Sequence, residues 1–530
     1  MEHPILTPIP RQRVLVDTFL GLDRRPRIPA GAFSEMENLT SDQFPVLSPR
    51  APRQLYAAPA SPQGLIAKEK LCYVDGADFV IGESRYPMDL SVRPEDCPKG
   101  LTSMGAYVII LPDKKYINTA DPADRGDIEA VYTGENVALS PCLASGEAAP
   151  EGVTATHVKL SAPGIGKDFR EGDGLIFTGL PENLGNTAVV RSRGEDQLVI
   201  PGVGEDGTIS SLRVERRMPR MDFLTQAGNR LWGCRYGPDE SGEPVNRLYA
   251  SALGDFRNWT RFEGTAMDSY YVNLGSDGPF TGAITSLGSP LFFKEGTLHQ
   301  VYGQTPDTFA LQEIPCRGVQ PGCHGSLAVV GEEVYYLSRS GVCVYDGSLP
   351  RVVSRNLGEL RTQSAVAGAL GGKYYLCMEG LGLYVYDTAR DLWHREDHFR
   401  AMDFAALEGR LYAIDLDSRN IRILSGGAGE EAVSWETVTG EQGLEDPGAK
   451  QISRLTLRLR LDPGSRLEVF AEYDRSGVWE PLCHIRGTSL RSFSVPVRPR
   501  RCDHLRLKLR GQGRASIYAI TKTVEKGSEG

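Results

Sequence analysis

The sequence predicts a mainly β protein: a β-propeller of about seven blades with an inserted small β-domain and a C-terminal β-sandwich. One phrase occurs twice, at residues 333–346 and 373–387, and both copies end in Val-Tyr-Asp. Each copy has two β-branched and aromatic runs joined by a glycine-containing turn, which is typical of a β-hairpin. The final aspartates lie 41 residues apart. A hairpin repeat of roughly 40 residues predicts propeller blades.

Composition supports many short strands and excludes a membrane-spanning protein. The 59 glycines and 34 prolines are scattered between short apolar runs. No segment approaches the roughly 18 consecutive apolar residues of a membrane helix, and no long segment has a helical period. The N-terminus lacks a basic segment followed by an apolar stretch, so we expect no secretion signal. The ten cysteines occur singly, and we expect them to be reduced thiols in a protein made in a cytosol.

The first half of the chain predicts three regions. Residues 1–56 are proline-rich and predict an extended N-terminal arm, which either packs along the body and gives one strand to the ring or docks onto a neighbouring subunit. Residues 57–124 contain two blade-like hairpin units. Between residues 125 and 217 short strands recur every 10 to 16 residues instead. This change predicts an inserted β-barrel or sandwich, since blade loops tolerate insertions.

The blade pattern resumes over residues 218–427. An aromatic residue recurs in the same strand of successive units, at Phe293, Tyr336, Tyr375 and Tyr412, with spacings of 43, 39 and 37 residues. Together with the earlier units, these repeats predict seven blades, with six or eight as the alternatives.

A separate module follows residue 427. Residues 455–461 and 505–509 alternate leucines with mostly basic residues, as expected of half-buried strands with a charged outer face. We therefore expect a basic β-sandwich over residues 428–522 and a flexible tail over 523–530.

The net charge of −9 is unevenly distributed. Residues 450–514 contain 15 Lys and Arg against six Asp and Glu, so this segment carries +9 and the rest of the chain −18. An acidic body disfavours ordinary sequence-specific DNA binding, which needs a basic surface. It suits a surface along which nucleic acid slides without sticking.

Four motifs could carry chemistry, and none is convincing. Residues 202–207 have the glycine spacing of a dinucleotide loop, but no helix follows them, and a turn is favoured. Residues 394–398, His-Arg-Glu-Asp-His, have the wrong order for a zinc-protease helix, and Cys316 with Cys323-His324 lacks metal-ligand spacing. Residues 474–479 match the Asp-box turn of sialidases only loosely. The sequence therefore predicts no catalytic, cofactor-binding or metal-binding residue, no cofactor and no enzymatic activity.

Ordered phrases carry a resemblance to a known family. The chain resembles the packaged-DNA stabilisation proteins of short-tailed phages, the tail nozzle or head-completion family, and their prophage relatives. The resemblance covers roughly residues 15–60 and 220–520, and the inserted domain has no counterpart in it. The phrases are residues 38–50, 246–260 and 318–326, followed by Val385-Tyr-Asp and Trp393.

The resemblance implies a virion tail protein, made in the host bacterial cytoplasm. It implies a homohexameric ring below the portal and adaptor that retains packaged DNA and forms part of the ejection channel. Tail fibres, a needle or a plug would attach to this ring. We expect the N-terminal arm and the basic module to contact neighbouring subunits, because ring interfaces join different surfaces of adjacent copies.

Two other functions remain open at this point. A glycan- or receptor-binding propeller protein of a phage tail would show an aromatic-lined pocket on a blade. A propeller glycoside hydrolase or lyase would show a cleft, with paired carboxylates roughly 5 to 9 Å apart in the case of glycoside hydrolysis.

Overall fold

Both copies of the repeated phrase fold as the two central strands of a four-stranded antiparallel sheet. In the computed structural model, Tyr336 lies opposite Cys343 in the first copy, and Tyr375 lies opposite Val385 in the second. These central strands are almost entirely buried, which explains their near-continuous apolar and aromatic composition.

The structure describes residues 11–94, 98–427, 432–443, 450–498 and 500–526. Within these ranges the regular elements are β-strands and three short 3-10 helices, Glu182–Leu184, His324–Ser326 and Arg355–Leu357. No helix in the described part of the chain is long and apolar enough to cross a membrane. The chain divides into two units, one of Met1–Pro62 with Ala328–Gly530 and the other of Gln63–Leu327.

The N-terminal segment and the first two blades come first in the chain. The segment contains β1 (Arg11–Val16), β2 (Phe33–Glu37), β3 (Leu39–Thr40), β4 (Ser48–Pro49) and β5 (Gln54–Ala57). The first blade contains β6 (Pro62–Ala67), β7 (Leu71–Asp75), β8 (Asp78–Ile81) and β9 (Ser84–Pro87). The second contains β10 (Gly100–Met104), β11 (Tyr107–Leu111), β12 (Lys115–Asn118) and β13 (Arg125–Asp127).

The inserted region forms one seven-stranded sheet with its own core. Its strands are β14 (Ala130–Cys142), β15 (His157–Ser161), β16 (Gly174–Thr178), β17 (Thr187–Val189), β18 (Ser192–Gly194), β19 (Gln197–Pro201) and β20 (Gly207–Arg216). The first and last strands pair along their length, from Ala130 opposite Arg216 to Leu139 opposite Gly207. Residues 125–127, expected in the insertion, instead complete the second blade as β13.

The remaining five blades follow in chain order. The third and fourth contain β21 (Phe223–Ala227), β22 (Arg230–Pro238), β23 (Pro244–Ala250), β24 (Tyr270–Asn273), β25 (Phe280–Ser286), β26 (Ser289–Lys294), β27 (Thr297–Tyr302) and β28 (Ala310–Pro315). The fifth and sixth contain β29 (Ala328–Val330), β30 (Glu333–Ser338), β31 (Gly341–Tyr345), β32 (Arg351–Val352), β33 (Ala365–Leu370), β34 (Lys373–Met378), β35 (Gly382–Asp387) and β36 (Leu392–Arg395). The seventh contains β37 (Ala401–Leu407), β38 (Arg410–Asp415) and β39 (Ile421–Ile423).

Seven four-stranded antiparallel sheets are thus present, and the predicted mainly β, seven-bladed propeller is confirmed. Neighbouring blades within each unit share apolar cores. Val74 of the first blade packs in one cluster with Ile110 of the second, and Trp232 of the third packs with Phe292 of the fourth. Burial of such a side chain contributes about 1.5–3 kcal/mol to the stability of the folded state and holds neighbouring blades together.

The C-terminal module is one sheet with two halves, which share one long strand. Its strands are β40 (Ser434–Thr439), β41 (Lys450–Tyr473), β42 (Glu480–Val495), β43 (Arg501–Cys502), β44 (Leu505–Gln512) and β45 (Ala515–Lys526). Residues 450–461 of β41 pair with β45, whereas residues 466–473 pair with β44. Leu457, Leu459 and Leu461 are buried while Arg458 and Arg460 between them are exposed, as the alternation predicts.

Strands of the N-terminal segment pair with two sheets of the same unit, the C-terminal module and the seventh blade. Strand β1 pairs with β45, β2 pairs with β40, and β5 completes the seventh blade by pairing with β39. The strand given to the propeller was one of the two expected roles of this segment. The two strands given to the C-terminal module were not expected, because their partners lie far away in sequence, about 400 residues for β2 and more than 500 for β1.

We predict that Trp393→Ala destabilises the protein by about 3–5 kcal/mol. Trp393 is fully buried, its ring centre lies 4.9 Å from that of Tyr386, and it donates a hydrogen bond to the Val353 carbonyl at 3.0 Å. Chemical denaturation measures the change in the free energy of unfolding. The control, Leu349→Ala, changes a side chain that is 68% exposed and should shift stability by less than about 0.5 kcal/mol. Equal effects of the two substitutions would contradict this packing.

Candidate functional site

The glycine motif at residues 202–207 connects two strands of the inserted sheet. It follows β19 and leads directly into β20, and Asn183 donates a side-chain hydrogen bond to the Val203 carbonyl at 2.8 Å. A phosphate-binding loop needs the N–H groups of a helix N-terminus, and a strand follows here instead. The turn interpretation fits this geometry.

The His-Arg-Glu-Asp-His motif lies on a strand and the loop after it. His394 is buried in β36, and burial beside Lys373 lowers its pKa to about 3, so the ring stays neutral. His398 contacts Arg395 on the surface. Among the described residues, no group of three His, Cys, Asp or Glu side chains is arranged to hold a metal ion.

The two acidic residues of this motif anchor the N-terminal segment. Arg53 donates hydrogen bonds to Glu396 at 2.8 Å and to both oxygens of Asp397 at 2.8 and 2.9 Å. Arg50 lies 3.3 Å from Asp397 and donates to the Asn38 side chain at 2.7 Å. Burial alone would raise the pKa of Asp397, but Arg53 holds that pKa below its usual value. The motif is therefore a buried ion-pair cluster that fastens residues 38–53.

The Cys-His pair at residues 323–324 combines a buried cysteine with an exposed histidine. Cys323 is buried, and His324 begins a 3-10 helix with its ring 5.3 Å from that of Phe223. Partial loss of water around the ring lowers the pKa of His324. Among the described residues no third ligand joins this pair to form a metal site.

The Asp-box-like segment at residues 474–479 joins β41 to β42. Asp474 accepts backbone hydrogen bonds from Asp503 at 2.8 Å and His504 at 3.1 Å. Lys508 lies 4.6 Å from the centre of the Trp479 ring, and Arg506 lies 5.4 Å from it. The segment is a hairpin turn fixed by hydrogen bonds and cation–π contacts.

One surface carries four exposed arginines, three of them without an ion-pair partner among the described residues. We call these four residues, Arg13, Arg454, Arg458 and Arg460, the basic face. Arg13 and Arg454 lie on either side of Thr523, and Arg458 lies opposite Ala519 on the same sheet. All four side chains are exposed. Arg460 lies 3.6 Å from Asp462, whereas the other three have no ion-pair partner among the described residues. This array of fixed positive charges can attract a polyanion or an acidic protein surface.

A second surface feature is an aromatic pocket of about 660 Å³ beside the third blade. The rings of Phe262 and Tyr271 meet edge to face at 5.8 Å and are about half exposed, 49% and 50%. Asp268 accepts backbone hydrogen bonds from residues 263–265 and one from the Thr265 hydroxyl at 2.8 Å. Its carboxylate therefore shapes the loop and is not a free acid. The pocket offers ring faces and hydroxyl groups for binding.

Comparisons with known proteins show similarity of fold alone. No protein-family model and no curated protein sequence matches the chain. The computationally designed protein Ika8 has a TM-score of 0.34 and 10% identity over 71% of this chain and 99% of that chain. BamB from Moraxella catarrhalis has a TM-score of 0.31 and 12% identity, over 72% and 97%. An exo-β-1,3-galactanase from Phanerochaete chrysosporium has a TM-score of 0.22 and 10% identity, over 56% and 94%.

We predict that Arg53→Met destabilises the protein by about 3–5 kcal/mol at neutral pH, because it removes one of the two arginines that neutralise the carboxylates of Glu396 and Asp397. The pKa of Asp397 is held below its usual value, so its ion pair stabilises the protein above about pH 4 and loses that effect as the pH falls further. The difference between wild type and variant should therefore shrink in acid. Denaturant titrations at several pH values measure it.

The matched control is Arg400→Met. Arg400 pairs with Asp417 at 2.9 Å on the surface, where both side chains are more than half exposed. Such a pair contributes at most about 1 kcal/mol. A loss for Arg400→Met as large as that for Arg53→Met would rule out the anchoring role of the buried cluster.

Proposed function

We propose that the protein is a structural, non-enzymatic component of a phage tail. In this role it forms a nozzle-type ring below the portal, retains packaged DNA, forms part of the ejection channel and attaches other tail parts. The observation that carries the proposal is the separation of charge. Three of the four arginines of the basic face lie on a C-terminal segment of +9, in a chain whose other residues sum to −18.

The positions of the resemblance phrases support a scaffold role. Asn38 and Arg50, from the first phrase, fasten the N-terminal segment. In the second phrase, Asn258 donates to the Gly172 carbonyl at 2.7 Å and Thr260 donates to the Gly174 carbonyl at 2.6 Å. These contacts hold the inserted sheet against the third blade. Residues of both phrases therefore hold parts of the fold together, as a tail component under mechanical load requires.

Charge complementarity suggests how copies associate. A basic face on one copy attracts the acidic surface of the next, which gives a head-to-tail interface that repeats around an axis and closes into a ring. We propose a homohexamer, with portal or adaptor proteins and tail fibre, needle or plug proteins as partners in the virion. An acidic lumen would repel DNA phosphates, so that the genome passes without sticking.

We predict that the triple variant Arg454→Glu, Arg458→Glu and Arg460→Glu abolishes self-association. Reversing three charges makes the basic face repel an acidic neighbour. Light scattering in about 0.1 M salt, where the screening length is near 10 Å, should show wild-type oligomers and a monomeric variant. Electron microscopy of the wild type should show rings with an open lumen.

A matched triple variant, Arg355→Glu, Arg361→Glu and Arg410→Glu, makes the same change in net charge at exposed blade positions. It should remain oligomeric. A monomeric wild type, or equal association of both triple variants, would contradict the proposed ring.

The aromatic pocket favours a second candidate function, glycan binding by a tail propeller. Ligand pockets of this size are lined by aromatic side chains with a few polar groups that fix orientation. Phe262 and Tyr271 supply ring faces on which the apolar face of a sugar can pack, and Thr265 and Thr305 supply hydroxyl groups. Asp268 is engaged in hydrogen bonds, which leaves Asp307 as the exposed carboxylate of the lining. One exposed carboxylate beside an engaged one favours binding over glycoside hydrolysis, which needs a working pair.

We predict that Phe262→Ala with Tyr271→Ala weakens binding to any glycan that a glycan array identifies by at least tenfold. The loss follows from roughly 1.5 kcal/mol or more of apolar contact. Tyr236→Ala is the control, since Tyr236 is 39% exposed on the same blade and does not line the pocket. An array without any bound glycan, or equal loss in both variants, would rule out this function.

A further inference from the structure

A cationic cleft lies where the inserted sheet meets the second and third blades, all within one unit. Its volume is about 530 Å³, within the range of sites for small ligands. Its lining is mostly charged, with five cationic and three acidic side chains. These are Lys167, Arg170, Arg193, Arg216 and Arg257, and Asp127, Glu129 and Asp168.

Two of the three acidic groups are already neutralised from outside the cleft. Asp127 lies 3.1 Å from Lys115, and Glu129 lies 2.7 Å from Lys114. Glu129 also accepts a backbone hydrogen bond from Met218 at 3.1 Å. Only Asp168 remains as an acidic group with no ion pair among the described residues.

Two arginines at the cleft are held in fixed positions. Arg216 donates to Asp173 at 2.8 Å and to the carbonyls of Ile128 at 2.9 Å and Asp168 at 3.1 Å. Arg257 donates to Asp255 at 3.3 Å, and its guanidinium lies over the ring of Phe256 at 5.5 Å. Their positions are thus set before any ligand arrives, which lowers the entropy lost on binding.

The three other cations are exposed and lack counterions. Lys167, Arg170 and Arg193 have no ion-pair partner among the described residues, and each lies on the insertion. Set against Asp168, they leave the cleft with an excess of two positive charges. Three exposed cations beside a single unpaired carboxylate repel one another, and a bound dianion would remove that repulsion.

We propose that this cleft binds a small phosphate-bearing molecule, such as a sugar phosphate. The charge excess matches a phosphomonoester, which carries about −1.5 to −2 at neutral pH and offers three acceptor oxygens. Guanidinium groups suit phosphate because they donate two parallel hydrogen bonds. The proposal does not depend on the tail function, because the insertion has no counterpart in the resemblance.

Isothermal titration calorimetry of the full chain with glucose 6-phosphate tests the proposal, with inorganic phosphate as a second probe. Lys167→Gln, Arg170→Gln and Arg193→Gln together should weaken binding at least tenfold. Asp168→Asn should strengthen it, because it removes the remaining negative charge. Affinity should fall when the pH drops below about 6, where a phosphomonoester loses its second charge.

The control variant Arg213→Gln lies on the same inserted sheet but pairs with Glu215 at 2.6 Å, and it should bind as the wild type does. Thermal melting confirms that each variant is folded. Absence of binding by wild type, binding that the triple variant retains, or binding of a DNA oligonucleotide without binding of either small probe would overturn the proposal.

Discussion

The buried ion pairs of Arg53 with Glu396 and Asp397 determine how the N-terminal segment is placed within the unit of Met1–Pro62 and Ala328–Gly530. Charged groups that leave water must be paired, since an unpaired buried charge costs several kcal/mol. This requirement fixes where residues 38–53 lie, and the strands on either side of that segment then reach two different sheets. Strand β5 completes the last blade, and β1 and β2 extend the C-terminal module. One ion-pair cluster therefore links the blade series to the module beyond it.

The blades were predictable because their central strands repeat an apolar and aromatic pattern at a nearly constant spacing. Tyr335 and Tyr375 lie opposite the valines of the two Val-Tyr-Asp endings, so Tyr335 is the counterpart of Tyr375, and the predicted alignment of Tyr336 with Tyr375 was one residue out of register. The outer strands were hard to recognise because they are short and partly exposed. Strand β32, for example, has only two residues, Arg351 and Val352, and such a strand has no readable period. The inserted sheet was recognisable from its changed strand spacing, but its first boundary was misplaced by one short strand.

Features that join distant parts of the chain could not be predicted from local pattern. The motif at residues 394–398 drew attention as a possible metal site, yet its acidic residues bind arginines that lie more than 340 residues earlier. The cationic cleft collects side chains from several separate segments, among them Lys167, Arg193 and Arg257. No spacing rule connects these positions. The basic face was partly visible, because alternating Leu and Arg residues indicate one buried and one charged side.

The pairing of β2 with β40 affects how the chain folds during synthesis. The hydrogen bond from Thr437 to the Glu35 carbonyl spans 402 residues, so β2 leaves the ribosome long before its partner strand β40 is made. Pairings of such high contact order form slowly, and strands that wait with open edges are prone to aggregate. Yield in a recombinant host should therefore be governed by chaperone supply and growth temperature.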